Sequence, residues 1–143
     1  MEIKTIKNKR LTPAREAICS FFERRKEPSD YSQIEKYLSS KGLKVNKTTI
    51  YRQLDLLLEL GYINELDFGE GKKRYELKKD HHHHFLCTKC QKIECIEVGE
   101  DIQRDLKRIE TKLLKNSKYK IQSHVLEFFG LCNLCQEKIC KKA

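Results

Sequence analysis

His81-His-His-His-Phe-Leu-Cys-Thr-Lys-Cys90 gathers two kinds of metal donor into ten residues, and the organisation of the whole chain can be read outward from it. The Cys-x-x-Cys pair at Cys87 and Cys90 has a counterpart downstream, Cys132-Asn-Leu-Cys135. Each such pair grips one edge of a tetrahedral ion, and four thiolates close the shell, so the expected cofactor is a structural Zn²⁺ with no open position for a substrate. The pairs are separated by residues 91–131, wider than in a compact zinc ribbon, so the intervening segment belongs to the domain that the metal ties together. The N-terminal residues Met1-Glu-Ile-Lys-Thr-Ile-Lys7 lack the apolar stretch of a secretory signal, and no apolar run approaches the roughly 20 residues that span a membrane. The expected location is therefore cytoplasmic with no membrane partner, and in a reducing compartment paired Cys-x-x-Cys spacing points to metal before disulfides.

The four consecutive histidines add a second chemistry. On extended backbone, alternate side chains face opposite sides, so His82 and His84 face one site while His81 and His83 face another. Neutral imidazoles near a domain boundary are good ligands for a divalent transition metal. The fifth histidine, His124, alternates with Val125 and Phe128 and reads either as a further ligand or as a satisfied core residue. Of the seven cysteines, three lie outside the Cys-x-x-Cys pairs. Cys19 reads as core and Cys140 as an exposed thiol in a lysine-rich tail. Cys95 follows the first pair closely enough to reach the histidines in a hairpin. Downstream of Cys90 the pattern gives a strand with Ile93, Cys95 and Ile96. A helix from about Glu100 to Lys115 follows, with Ile102, Leu106, Ile109 and Leu113 at helical spacing, then a strand from Ile121 to Phe129.

Upstream, three short helices are expected. Thr12 caps the first, with Pro13 at its first position and Ala14, Ile18, Phe21 and Phe22 on one face. Ser32-Gln-Ile-Glu35 reads as a capping box for the second, whose apolar positions are Ile34, Tyr37 and Leu38, with Gly42 just past its end. Asn46 caps the third, with Ile50, Leu54 and Leu57 buried and Gly61 closing it. Tyr62–Leu66 and Arg74–Leu77 then read as a hairpin around the turn Asp67-Phe-Gly-Glu-Gly71. Three helices and a hairpin make a winged helix-turn-helix. In the third helix Thr48, Tyr51, Arg52 and Asp55 share the exposed face, and an N-terminus carrying Lys, Thr, Tyr and Arg offers donors to phosphates and reach to base edges in a major groove. The formal net charge of +9 suits double-stranded DNA as a partner. A zinc-bound set of four thiolates carries about −2, which makes the first half the more positive one.

The ordered set Thr12-Pro-Ala-Arg15, Thr49-Ile-Tyr-Arg52, the histidine run entering Cys87-x-x-Cys90, and His124…Gly130-Leu-Cys-x-x-Cys135 resembles the ferric uptake regulator family over roughly Leu11 to Cys135. The resemblance implies a homodimeric winged-helix repressor that binds operator DNA when a regulatory metal (Fe²⁺, Zn²⁺ or Mn²⁺) is loaded, or that senses peroxide through iron. It implies DNA contacts from Arg10, Arg15, Lys47, Thr49, Tyr51 and Arg52. Cys87, Cys90, Cys132 and Cys135 match the structural zinc ligands, and His82, His84 and Glu76 the regulatory ones. Asp30 falls where members often supply a histidine, and Cys95 where many carry Asp or Glu. His81, His83 and His124 match a further site present in some members. The expected fold class is α+β, with a winged-helix DNA-binding domain over 1–80 and an α/β dimerisation domain with a four-cysteine zinc site over 81–143. The competing functions are a metal-buffering protein without DNA binding and a zinc or thiol enzyme. The enzyme reading lacks a nucleophile, base and orienting group in one place.

Overall fold

The computed structural model describes residues 12–116 and 119–140, leaving aside the side chains of 139 and 140. They fall into two compact units divided between Lys79 and Asp80. In the first, α1 (Pro13–Glu23), β1 (Ser29–Asp30), α2 (Tyr31–Ser40) and α3 (Lys47–Glu59) precede a hairpin of β2 (Ile63–Asp67) and β3 (Lys73–Leu77). The second contains β4 (His83–Cys87), β5 (Ile93–Ile96), α4 (Glu100–Asn116), β6 (Glu127–Gly130) and α5 (Asn133–Cys140). Among the described residues no helix is long and apolar enough to cross a membrane.

The first unit is held by one apolar core. Ile18, Phe21 and Phe22 of α1 meet Ile34 and Leu38 of α2, Ile50, Leu54 and Leu57 of α3, and Ile63 and Tyr75 of the hairpin. Full burial of side chains of this size stabilises a fold by about 1.5–3 kcal/mol each before the entropy cost is set against it. The helix boundaries are chemical. The hydroxyl of Thr12 accepts from the Arg15 N–H with Pro13 at the first helical position, and the Asn46 side chain accepts from the Thr49 N–H at 2.8 Å. Both α2 and α3 end on a glycine at positive φ, Gly42 at 73° and Gly61 at 64°. There the next N–H reaches back to close the last turn, Leu43 to the Leu38 carbonyl and Tyr62 to the Leu57 carbonyl.

The start of α2 differs from the sequence expectation. The capping box is Asp30 with Gln33, not Ser32 with Glu35: Asp30 accepts from the Gln33 N–H, and the Gln33 side chain accepts from the Asp30 N–H. Asp30 can do this because it also ends a two-residue strand, β1, that pairs with β3 and leaves the sheet in the order β1-β3-β2. Its other oxygen pairs with Lys72 at 3.1 Å and lies 3.9 Å from Arg74, whose guanidinium is itself bidentate on Glu70. The base of the wing is thereby anchored to the cap of α2.

In the second unit β4 is central, antiparallel to β5 and parallel to β6, in the order β5-β4-β6. The third strand is only Glu127–Gly130. Residues 121–126 are not a strand, although Ile121–Phe129 was expected to be one. The C-terminal segment expected as a tail is the helix α5 up to Cys140.

Burial alone would raise the Asp30 pKa, but hydrogen bonds from Ser32, Lys72 and the Gln33 N–H outweigh it and hold the carboxyl below its ordinary value. A carboxyl lowered in the folded state adds stability above the ordinary aspartate value of about 4, and that stability is lost as pH falls through the lower folded value. Asp30→Ala is expected to cost the first unit about 1 kcal/mol at neutral pH. In urea denaturation the gap to the parent should narrow in acid, and Asp30→Asn should keep most of the cap.

Candidate metal centres and nucleic-acid interface

The first Cys-x-x-Cys leaves the end of β4. The Gln91 N–H returns to the Cys87 carbonyl at 2.8 Å and the Cys87 N–H donates to Lys92, a tight turn that puts Gln91 at a φ of 60°. The second pair begins α5, where the N–H groups of Cys135 and Gln136 donate to the Cys132 carbonyl. The parallel pairing of β4 with β6, Cys87 opposite Gly130, brings the two turns together. The sulfurs of Cys87, Cys90, Cys132 and Cys135 all lie within 4.8 Å of one another, and none is in a disulfide. A tetrahedral ion with metal–sulfur bonds of about 2.3 Å requires sulfur–sulfur edges of about 3.8 Å. The Cys90–Cys132 separation is 3.7 Å. The donor set therefore fits Zn²⁺. Backbone N–H groups of Cys132 and Cys90 pull the Cys87 thiol down to about 6, whereas burial and the neighbouring sulfurs push Cys135 up to about 12. The Cys132 N–H, 3.4 Å from the Cys87 sulfur, is the kind of donor that stabilises a metal-bound thiolate.

The second group uses one face of β4. His84 stands opposite Cys95 on the β4–β5 ladder, and the His82 ring lies 4.7 Å from that of His84. His82, His84 and Cys95 each offer a ligand atom within 4.8 Å of the others. His82 Nδ1 lies 2.8 Å from the Asp80 carbonyl, an acceptor only, so that nitrogen is the donor of the contact. His84 is buried, while Cys95 is exposed.

The opposite face of the same segment forms the third group, His81, His83 and His124. His83 Nδ1 points to the Leu126 carbonyl at 3.2 Å, and His124 Nδ1 lies 2.6 Å from a Glu110 carboxylate oxygen of α4. Each Nε2 is buried without a hydrogen-bond partner. An orphaned imidazole nitrogen whose other nitrogen is held by an acceptor is the arrangement of a metal ligand. Burial first, then the neighbouring His81, lowers the pKa of His83 and favours the neutral form a metal needs. A cavity of about 300 Å³ is lined by these histidines with Gln103, Leu106, Lys107 and Glu110. Glu110, which orients His124, was not singled out from the sequence. It sits among the charged positions of a polar-faced helix, and only the packing of α4 against the loop of His124 distinguishes it.

In the first unit, Lys47 and Arg52 are exposed on the N-terminal half of α3, and Tyr51 and Thr49 are half-buried. The Tyr51 ring stacks on Tyr31 of α2, with centroids 5.1 Å apart and planes 10° from parallel. The Lys47 ammonium lies 5.6 Å from the Tyr31 ring and 5.9 Å from that of Tyr51. Tyr31 was also missed in the sequence, because a stack between two helices has no spacing signature. Arg15 is 8% exposed, and its Nε donates to Gln53 at 2.8 Å, tying α1 to α3. Arg10 lies outside the described residues. Asp30, expected near a regulatory ligand position, has its carboxylate committed to the cap and to Lys72. Glu76 is buried on β3, opposite Asn64.

Residues 7–129 match the model of the ferric uptake regulator family. The ferric uptake regulation protein of Bacillus subtilis is 32% identical over 134 residues, covering 90% of this chain and 87% of the relative. The peroxide-responsive repressor PerR of Staphylococcus saprophyticus is 27% identical, covering 90% and 84%. Among solved structures, the ferric uptake regulator of Helicobacter pylori, described as having three functional metal binding sites, superposes with a TM-score of 0.75. It is 26% identical, and the match covers 93% of this chain and 87% of that one. The chain belongs to the ferric uptake regulator family.

Proposed function

We propose that this protein is a metal-responsive transcriptional repressor that binds operator DNA as a homodimer. The observation that carries the reading is the coexistence, around the segment His81–Cys90, of a four-sulfur site and two histidine sites on opposite faces. The four-sulfur site serves as a structural zinc centre, and the His82–His84 site as the regulatory one. Glu76 is proposed as the carboxylate that the first unit contributes, and Asp30 is left to its capping role. A metal shifts a conformational equilibrium only by its differential affinity for the two states, so ligands drawn from both units would give it leverage over the winged helix. Lys47, Thr49, Tyr51 and Arg52, with Arg15 behind them and Arg10 preceding α1, are the proposed DNA-contacting set. Stacking on Tyr31 limits the rotamers of Tyr51 before DNA arrives, which lowers the ordering cost of contact.

Dimerisation is supported by the second unit's own surface. Ile102, Ile109, Leu113 and Leu114 of α4 and Phe128 and Phe129 of β6 are all exposed. α4 buries none of its side chains despite its apolar stripe. Ile102, Ile109 and Leu113 recur at helical spacing, and an exposed apolar stripe of this kind is what a second copy would cover.

The test is fluorescence anisotropy on DNA from the gene's own upstream region, adding Fe²⁺, Mn²⁺ and Zn²⁺ in turn without oxygen to protein that retains its structural zinc. Affinity should appear with metal and reverse with chelator. His84→Ala should weaken the metal-dependent response by more than the roughly 10–100-fold that loss of an outer-shell partner costs a metal site, with zinc content at the four cysteines unchanged. A full response in that variant would remove the site from the regulatory role. No affinity for upstream or pooled genomic DNA in any metal state would leave a metal-holding protein. Leu113→Glu combined with Ile109→Glu should convert the dimer to monomer in sedimentation velocity while leaving the first unit folded.

A further inference from the structure

Cys95 sets a thiol beside the imidazoles of His82 and His84. It lies directly across the β4–β5 ladder from His84, and its sulfur is within 4.8 Å of ligand nitrogens of both His82 and His84. The ladder holds that placement: His83 pairs with Ile96, Phe85 with Glu94 and Leu86 with Ile93 on either side. A one-residue slip would send the Cys95 side chain to the other face. Two imidazoles and a thiol are a nitrogen–sulfur donor set. Soft thiolate with imidazole selects zinc, whereas oxygen donors in the same place suit manganese and ferrous iron.

Resting on the reading that the His82–His84 site is regulatory, we infer that Cys95 is a ligand of that site and makes its ion Zn²⁺. On binding, the Cys95 thiol releases its proton to solvent and a zinc–sulfur bond forms, with no change in oxidation state. His82 would enter through Nε2, since its Nδ1 lies 2.8 Å from the Asp80 carbonyl. Four thiolates would close the shell of an ion at the sulfur centre, so the two zinc sites would differ in exchangeability. The mixed site, whose thiol is exposed, is the one that equilibrates with the surrounding zinc pool.

Cobalt(II) reports the ligand directly. One equivalent of Co²⁺ is added to dimer that retains its structural zinc, with zinc content measured before and after. A thiolate-to-cobalt charge-transfer band in the near ultraviolet is expected in the parent protein. It should be lost in Cys95→Ser, while the visible bands of histidine-bound cobalt persist. Loss of an outer-shell partner alone costs metal sites about 10–100-fold in affinity, so competition with a zinc chelator should show Cys95→Ser weakened by more than about tenfold. Cys95→Asp should move the preference toward Mn²⁺ and Fe²⁺. Cys95 is exposed, so neither variant should unfold, and circular dichroism checks this. A charge-transfer band of equal intensity in Cys95→Ser, or unchanged zinc affinity, would overturn the assignment. A Cys95-dependent cobalt band with DNA affinity indifferent to metal would keep the ligand assignment and refute the regulatory reading instead.

Discussion

Four sulfur atoms gathered within 4.8 Å of one another are the constraint on which the second unit depends. That unit has little else to hold it. Its strands run four or five residues, its long helix buries no side chain, and its buried apolar residues among those described are Leu86, Cys87, Ile93 and Cys135. Two of those four belong to the sulfur cluster. The first unit, by contrast, closes a core of ten buried residues from three helices and a hairpin. Small units that cannot bury enough apolar surface need a metal, a disulfide or a partner, and metal-binding energy then becomes folding energy. The four sulfurs clamp the end of β4 to the start of α5, and this fixes β6 alongside β4.

From that anchored strand the two histidine groups follow by period-two geometry. Residues 81–84 lead into and begin β4, whose far end is Cys87, so the same register that delivers a thiolate to the structural site aims His82 and His84 one way and His81 and His83 the other. The neighbours then differentiate them. β5 brings Cys95 to the first pair, while the loop before β6 and α4 bring His124 and Glu110 to the second. One short strand thus sustains separate donor sets of different hardness.

Much of this was legible in the sequence where the signal is local. Thr12 with Pro13 and Asn46 before Lys47 each mark a helix start with atoms three residues apart, and both caps form. The four-cysteine set was legible because ligand spacing is itself the constraint. What depended on tertiary partners was not. Asp30 takes the cap in place of Ser32 where β1 pairs with β3 and Lys72, from the turn before β3, reaches its other oxygen, and no local pattern encodes that. The alternation from Ile121 looked like a long strand, yet β4 offers partners only from His84 to Cys87, so pairing stops at four residues. Tyr31 and Glu110 act on residues of other elements, across 20 and 14 positions in sequence, and neither carries a spacing signature.

The most direct test of a metal-built second unit governing an independently folded first one is amide hydrogen exchange by peptide. Three states would be compared: fully loaded, stripped of histidine-held ions by mild chelation, and stripped of all metal. The expected result is that α1 to α3 stay protected throughout, while β4, β5 and β6 keep protection in the second state and lose it in the third. Protection of β4 to β6 that survives complete metal removal, or that vanishes when only the histidine-held ions leave, would contradict the assignment of the four-sulfur site as the structural one.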